Sequence, residues 1–167
     1  MPAMGGVEGG AKDAMPMDGR SHAKLKPTWV YPHPFQPRVY VALNGAAEVV
    51  EVDLNHWKII RRFATGKGPY NVEVTSDGAK MVVSYKSEGA VGIWDLVRGV
   101  ELARIPTSRK VTHGVATSPD GRYAFVTCEG IGSETGTVDV FDLKQDVKVC
   151  TVEVGLQAGG IAFWKTD

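Results

Sequence analysis

Little in this sequence points to a chemistry by being abundant. Charge is balanced, with 19 Lys and Arg against 19 Asp and Glu in 167 residues. A chain without net charge has no electrostatic reason to seek nucleic acid or an anionic bilayer, so neither is expected as a partner. No apolar run approaches the roughly 18–20 residues that cross a membrane, so no membrane span is expected. The opening stretch, MPAMGGVEGG, lacks the basic and apolar regions of an export signal. Cysteine is scarce: Cys128 and Cys150 fall on two expected strands with a third between them. That places them about 9–10 Å apart, twice the ladder spacing, whereas a disulfide needs Cα atoms within about 7 Å. Both are read as free thiols. There is no Cys-x-x-Cys, no haem-attachment motif, no nucleophile elbow and no paired Glu-His zinc motif, so the motifs give catalysis no support.

Glycine and turn chemistry are present in quantity, and with them a repeat. The 20 glycines and nine prolines mark a chain that turns often. One strand-turn-strand phrase occurs in three tandem copies: WVYPHPFQPRVYVAL (29–43), YNVEVTSDG (70–78) and HGVATSPDG (113–121). A fourth, GIAF (160–163), stops after its first strand. A second marker, VDL, WDL or FDL, begins at positions 52, 94 and 141, in steps of 42 and 47 residues. A period of roughly 40–50 residues holding several short strands is the signature of a propeller or solenoid.

The second repeat divides cleanly into strands over 70–75, 80–85, 91–95 and 101–105, separated by SDG, KSEG and LVRG turns. Four antiparallel strands joined by short turns make one propeller blade. Third strands are apolar on both faces (Val49, Val50 and Val52; Val91, Ile93 and Trp94; Val138, Val140 and Phe141), as a sheet packed between two others requires. The Asp after each (Asp53, Asp95, Asp142) is expected to stabilise the following turn. The Trp94-Asp95 pair lacks the accompanying Gly-His of a WD repeat and is read as packing. The fold expected is therefore all-β: about three blades, near 28–65, 70–106 and 113–154, plus an extra inner strand near 159–163. Residues 1–26 form a flexible Gly/Met-rich segment without strand pattern.

The run HGVATSPDGRYAFV (113–126), followed by GTVDVFDL (136–143) and VKVCTVEVG (147–155), resembles the YVTN-type β-propeller repeat. That repeat family is related to the haem d1 propeller of cytochrome cd1 nitrite reductase. The resemblance covers about residues 27–163. It departs in that no repeat spells Tyr-Val-Thr-Asn, and the first turn is PFQP (34–37). It implies that the strand ending at the SPDG turn is the innermost of its blade. It also implies a periplasmic or extracellular location. Three blades do not close a ring, since four or more are usual. The expectation is that the chain is the C-terminal part of a seven- or eight-bladed propeller of roughly 300 residues or more, or that another chain supplies the remaining blades.

Propeller sites gather where loops lead into the inner strands. Those loops, GKGP (66–69), SRKVTH (108–113) and LQAG (156–159), with the turns joining second to third strands, bring Lys67, Lys86, Arg109, Lys110 and His113 toward one face. Such a mouth suits carboxylate, phosphate or the propionates of a haem-like ring. The same residues also read as solvated loop side chains, and His113 as a hydrogen-bonded structural histidine. The loop EGIGSETG (129–136) holds Gly-x-Gly but joins strand to strand, which excludes a dinucleotide fingerprint and leaves a flexible acidic rim loop. Met1, Met4, Met15 and Met17, with Asp18, His22 and His33, carry thioether and imidazole groups that select copper; a linker uses the same residues. Two functions stand side by side: a non-catalytic binding or scaffold module for a protein or small anionic ligand, and a haem d1-like redox domain or lactonase-like propeller enzyme.

Overall fold

A computed structural model describes residues 22–164, which form three four-stranded antiparallel sheets in sequence order. The first holds β1 (Pro27–Pro32), β2 (Arg38–Leu43), β3 (Glu48–Asp53) and β4 (Lys58–Ala64). The second holds β5 (Pro69–Val74), β6 (Lys80–Tyr85), β7 (Ala90–Asp95) and β8 (Val100–Pro106). The third holds β9 (Val111–Thr117), β10 (Tyr123–Glu129), β11 (Thr137–Asp142) and β12 (Val147–Glu153). Each is a meander in which neighbours in sequence are neighbours in space, and the innermost strands β1, β5 and β9 lie next to one another. The expected propeller blades are present.

Turn chemistry explains the registers. In blade two Gly78 takes φ +71°, and in blade three Gly121 takes φ +68°, the left-handed region that glycine enters without penalty. Asp77 Oδ1 accepts from the Ala79 N–H at 2.9 Å, and Asp120 Oδ1 accepts from the Arg122 N–H at 3.0 Å. The turn after each third strand uses the expected aspartates. Asp53 accepts from the Asn55 N–H, Asp95 from the Arg98 N–H, and Asp142 from the N–H groups of Lys144 and Gln145.

The core lies between the sheets. The seam between blades one and two buries Tyr40, Phe63, Met81, Tyr85, Trp94 and Leu96. The seam between blades two and three buries Val82, Val91, Ile93, Val126, Phe141 and Leu143. β6 and β7 are therefore buried on both faces, while β12 is exposed along its whole length. Cys128 is buried on β10 and Cys150 exposed on β12, both as free thiols, and burial pushes the Cys128 thiol up to about 11.

Two differences from the sequence expectation stand out. The third strands are not wholly apolar: Glu51 on β3 and Asp139 on β11 are buried. Glu51 is bracketed by Arg38 and Arg61, each at 2.8 Å. Asp139 takes bonds from the Ser108 N–H at 2.7 Å and the Thr151 hydroxyl at 2.7 Å. Residues 159–163 join no sheet, because no second strand lies beside them. Their placement is still that of an inner strand. The carbonyl of Gly159 accepts from the Gly114 N–H and from the Thr127 hydroxyl. The repeat-equivalent carbonyls of Tyr70 and His113 accept from the hydroxyls of Thr28, at 2.7 Å, and Ser84, at 2.6 Å. Each of β5, β9 and the 159–163 segment is thus held through its backbone by a hydroxyl of the preceding blade. Ahead of blade one, His22–Leu25 forms a single helical turn at the end of the Gly/Met-rich segment, which was expected to lack strand pattern.

Candidate functional site at the channel mouth

The end where the inner strands begin collects the loops 65–68 and 107–110 and the turns after β6 and β10. Tyr70, the second residue of β5, is its centre. The ammonium of Lys86 lies 4.5 Å from the Tyr70 ring centroid, a cation–π distance. The imidazole of His113 meets the same ring edge-on, with centroids 5.1 Å apart. His113 Nε2 lies 2.6 Å from Glu129 Oε2, and the side chain is 14% exposed. Lys86, Tyr70, His113 and Glu129 thus form one continuous chain of contacts across the seam between blades two and three.

The other expected cations divide. Arg109 is pinned by its own blade's rim: Nε donates to the Thr135 carbonyl at 2.8 Å and lies 3.2 Å from Glu134, and Nη2 lies 3.4 Å from Glu153. Those bonds tie the loop after β10 to the mouth and take Arg109 away from any ligand. Lys67 and Lys110 are exposed. Among the described residues, no carboxylate lies within ion-pair distance of the ammonium groups of Lys67, Lys86 or Lys110. The Lys67 backbone N–H donates to Glu88 Oε2 at 2.8 Å, and Arg104 Nη1 donates to Glu88 Oε1 at 3.1 Å. That backbone bond first, and the guanidinium second, hold the Glu88 carboxyl below the usual range. The mouth is therefore a patchwork of cations and acids rather than a uniformly positive ring.

Reasoning on the sequence missed Tyr70 and Glu129. The repeat alignment carried a signal for the first, because Tyr70 and His113 hold equivalent places and both bear rings. Nothing local announces Glu129 as the partner of His113.

His113 Nε2 is already engaged by Glu129, and among the described residues no group of three or more His, Cys, Asp or Glu side chains is placed to hold a metal ion. Of the expected copper ligands, the four methionines and Asp18 lie outside the described residues. His33 is described: its Nδ1 accepts from the Phe35 N–H at 3.1 Å and its ring packs near Tyr40.

No protein-family model matches the chain, and no curated protein matches it in sequence. Solved structures do. The chain is similar to Kuenenia stuttgartiensis hydrazine synthase, with 24% identity and a TM-score of 0.71, covering 84% of this chain and 40% of that one. It is similar to U3-55K with 14% identity and a TM-score of 0.73, covering 86% of this chain and 44% of that one. The chain thus spans less than half the length of either. At these identities the likeness is one of fold, and the fold shared with both is the β-propeller.

Proposed function

We propose that this chain is a non-catalytic propeller module of the YVTN type, acting in the periplasm or outside the cell. Its mouth lysines receive a carboxylate or phosphate, carried by a small anion or by an acidic protein segment. The observation that carries the reading is Lys86, held over the Tyr70 ring with no carboxylate in ion-pair reach among the described residues. A fixed ammonium backed by an aromatic face keeps its charge available to an incoming anion. Lys67 and Lys110 flank it on the neighbouring loops. Completion of the ring by further blades belongs to the same proposal. Val30, 57% exposed on blade one, and Val152, 50% exposed on blade three, are apolar surface that a neighbouring blade would cover.

The test is calorimetric titration with citrate and with inorganic phosphate at low salt. Wild-type protein is expected to bind at least one of them, and the triple variant Lys67→Ala, Lys86→Ala, Lys110→Ala to bind it about tenfold or more weakly, each good charge-assisted contact being worth about 1.5 kcal/mol or more. Equal affinity of the two proteins removes the mouth from the proposal. Lactone hydrolysis or redox turnover at enzyme rates overturns its non-catalytic half.

A further inference from the structure

The opposite end of the inner strands is built differently. Tyr31, Glu73 and Ala116 hold equivalent places on β1, β5 and β9, each paired with the third residue of the adjoining strand, Tyr40, Val82 and Phe125. Of these places only the one on β5 carries a carboxylate. The Tyr31 hydroxyl and the Thr117 backbone N–H face the Glu73 carboxyl and favour its charged form. Among the described residues, its Oε2 is buried without a hydrogen-bond partner. A buried acceptor left unmade is costly, and burial accordingly pushes the Glu73 carboxyl up to about 7.

That carboxyl borders an open cavity of about 510 Å³ whose walls include Trp29, Tyr31, Phe163 and Trp164. The volume falls within the range of small-molecule sites, about 300–1,000 Å³. Among the described residues no Lys, Arg or His lines it, and Glu73 is the sole formal charge in a wall rich in aromatic and proline residues. One carboxylate is too few oxygens for Ca²⁺ or Mg²⁺, which take about six or more. To an organic cation the cavity offers one carboxylate and a wall of ring surface.

We propose that this cavity binds a small organic ammonium ion, a protonated amine on an apolar body, whose charge lies against the Glu73 carboxylate while its carbon skeleton lies among Trp29, Tyr31, Phe163 and Trp164. Cation–π attraction and the carboxylate act on the same charge. The site is separate from the lysine-bearing mouth and of opposite sign. It stands whether or not an anion binds there.

Phenethylammonium is the probe, titrated into the full chain and followed by tryptophan fluorescence and calorimetry, with 2-phenylethanol as its neutral counterpart. The ammonium is expected to bind wild-type protein, and Glu73→Gln is expected to weaken it about tenfold or more while leaving the alcohol unchanged. Trp29→Leu is expected to weaken both probes, which keeps the test open should Glu73→Gln misfold. The mouth triple variant is expected to bind phenethylammonium as wild type does. Two groups reach the Glu73 carboxyl, Tyr31 from β1, itself pushed up to about 12, and the neutral Thr117 N–H from β9. Affinity is therefore expected to rise about tenfold from pH 6 to pH 8 as Glu73 ionises. Equal affinity of wild type and Glu73→Gln overturns the proposal, as does absence of binding at millimolar probe.

Discussion

The two seams between blades share a topology and differ in what fills them. The seam of blades one and two is filled with rings. Tyr40, Phe63 and Trp94 run in series at centroid distances of 6.2 and 5.7 Å. The Tyr85 hydroxyl accepts from Trp94 Nε1 at 2.8 Å and donates to Glu101 at 2.8 Å. The seam of blades two and three is filled mainly with aliphatic side chains and tied by polar bonds at its ends. Ser84 donates to the His113 carbonyl at 2.6 Å, Ser76 to the Pro119 carbonyl at 2.7 Å, and Lys80 meets Asp146 at 2.6 Å. The aromatic seam gains its area from a few large side chains, whose polar atoms must then be satisfied deep inside. The aliphatic seam gains cohesion from smaller contacts and needs its polar ties only at the rims.

The comparison is broken most severely at Gly92. A Cβ there would collide with the Tyr85 hydroxyl and stand 2.7 Å from Glu101 Oε1. Gly92→Ala is therefore expected to lose about 4 kcal/mol in urea denaturation, while Gly160→Ala, with nothing within 4 Å, is expected to change nothing measurable. An unaltered midpoint for Gly92→Ala would mean that Tyr85 does not cross β7. Next comes Glu51→Gln, which loosens the paired Arg38 and Arg61 and the Tyr40 hydroxyl that also reaches Glu51 at 3.3 Å. The guanidiniums are 39% and 32% exposed and return partly to water, so the loss is expected to be about 2 kcal/mol rather than that of a fully buried pair. The smallest effect is on the aliphatic seam. Ser84→Ala removes the acceptor of the Asn71 N–H at 3.0 Å and the donor to His113, and is expected to cost about 1–2 kcal/mol. Its signature is faster hydrogen exchange at Asn71 with the aromatic seam unaffected.

Much of this fold was legible because its determinants are local. Asp77-Gly78 and Asp120-Gly121 specify turns through their own backbone bonds, and strands between such turns have few ways to pair. The third strand of blade two reads as apolar and is buried on both faces. Glu51 and Asp139 broke that reading in the other blades, since their partners Arg61 and Ser108 sit on elements whose proximity is a product of folding. The mouth was legible to the same degree. Loop position put Lys67, Lys86, Lys110 and His113 on loops and strand starts at one end, but gave no sign of the capture of Arg109 by Glu134 or of the ring of Tyr70 between Lys86 and His113. Glu73 left no local trace. Its neighbours on the strand are ordinary, and its burial comes from the packing of the fold around β5.

The hydroxyls of Thr28, Ser84 and Thr127 each fasten the next inner strand through its backbone carbonyls. Cohesion is then passed from neighbour to neighbour, as in a linear array whose units couple only to those adjacent. Blade two, clasped on both flanks, should open last under denaturant, after its outer companions have frayed, so that residual protection against exchange marks the order in which the couplings fail.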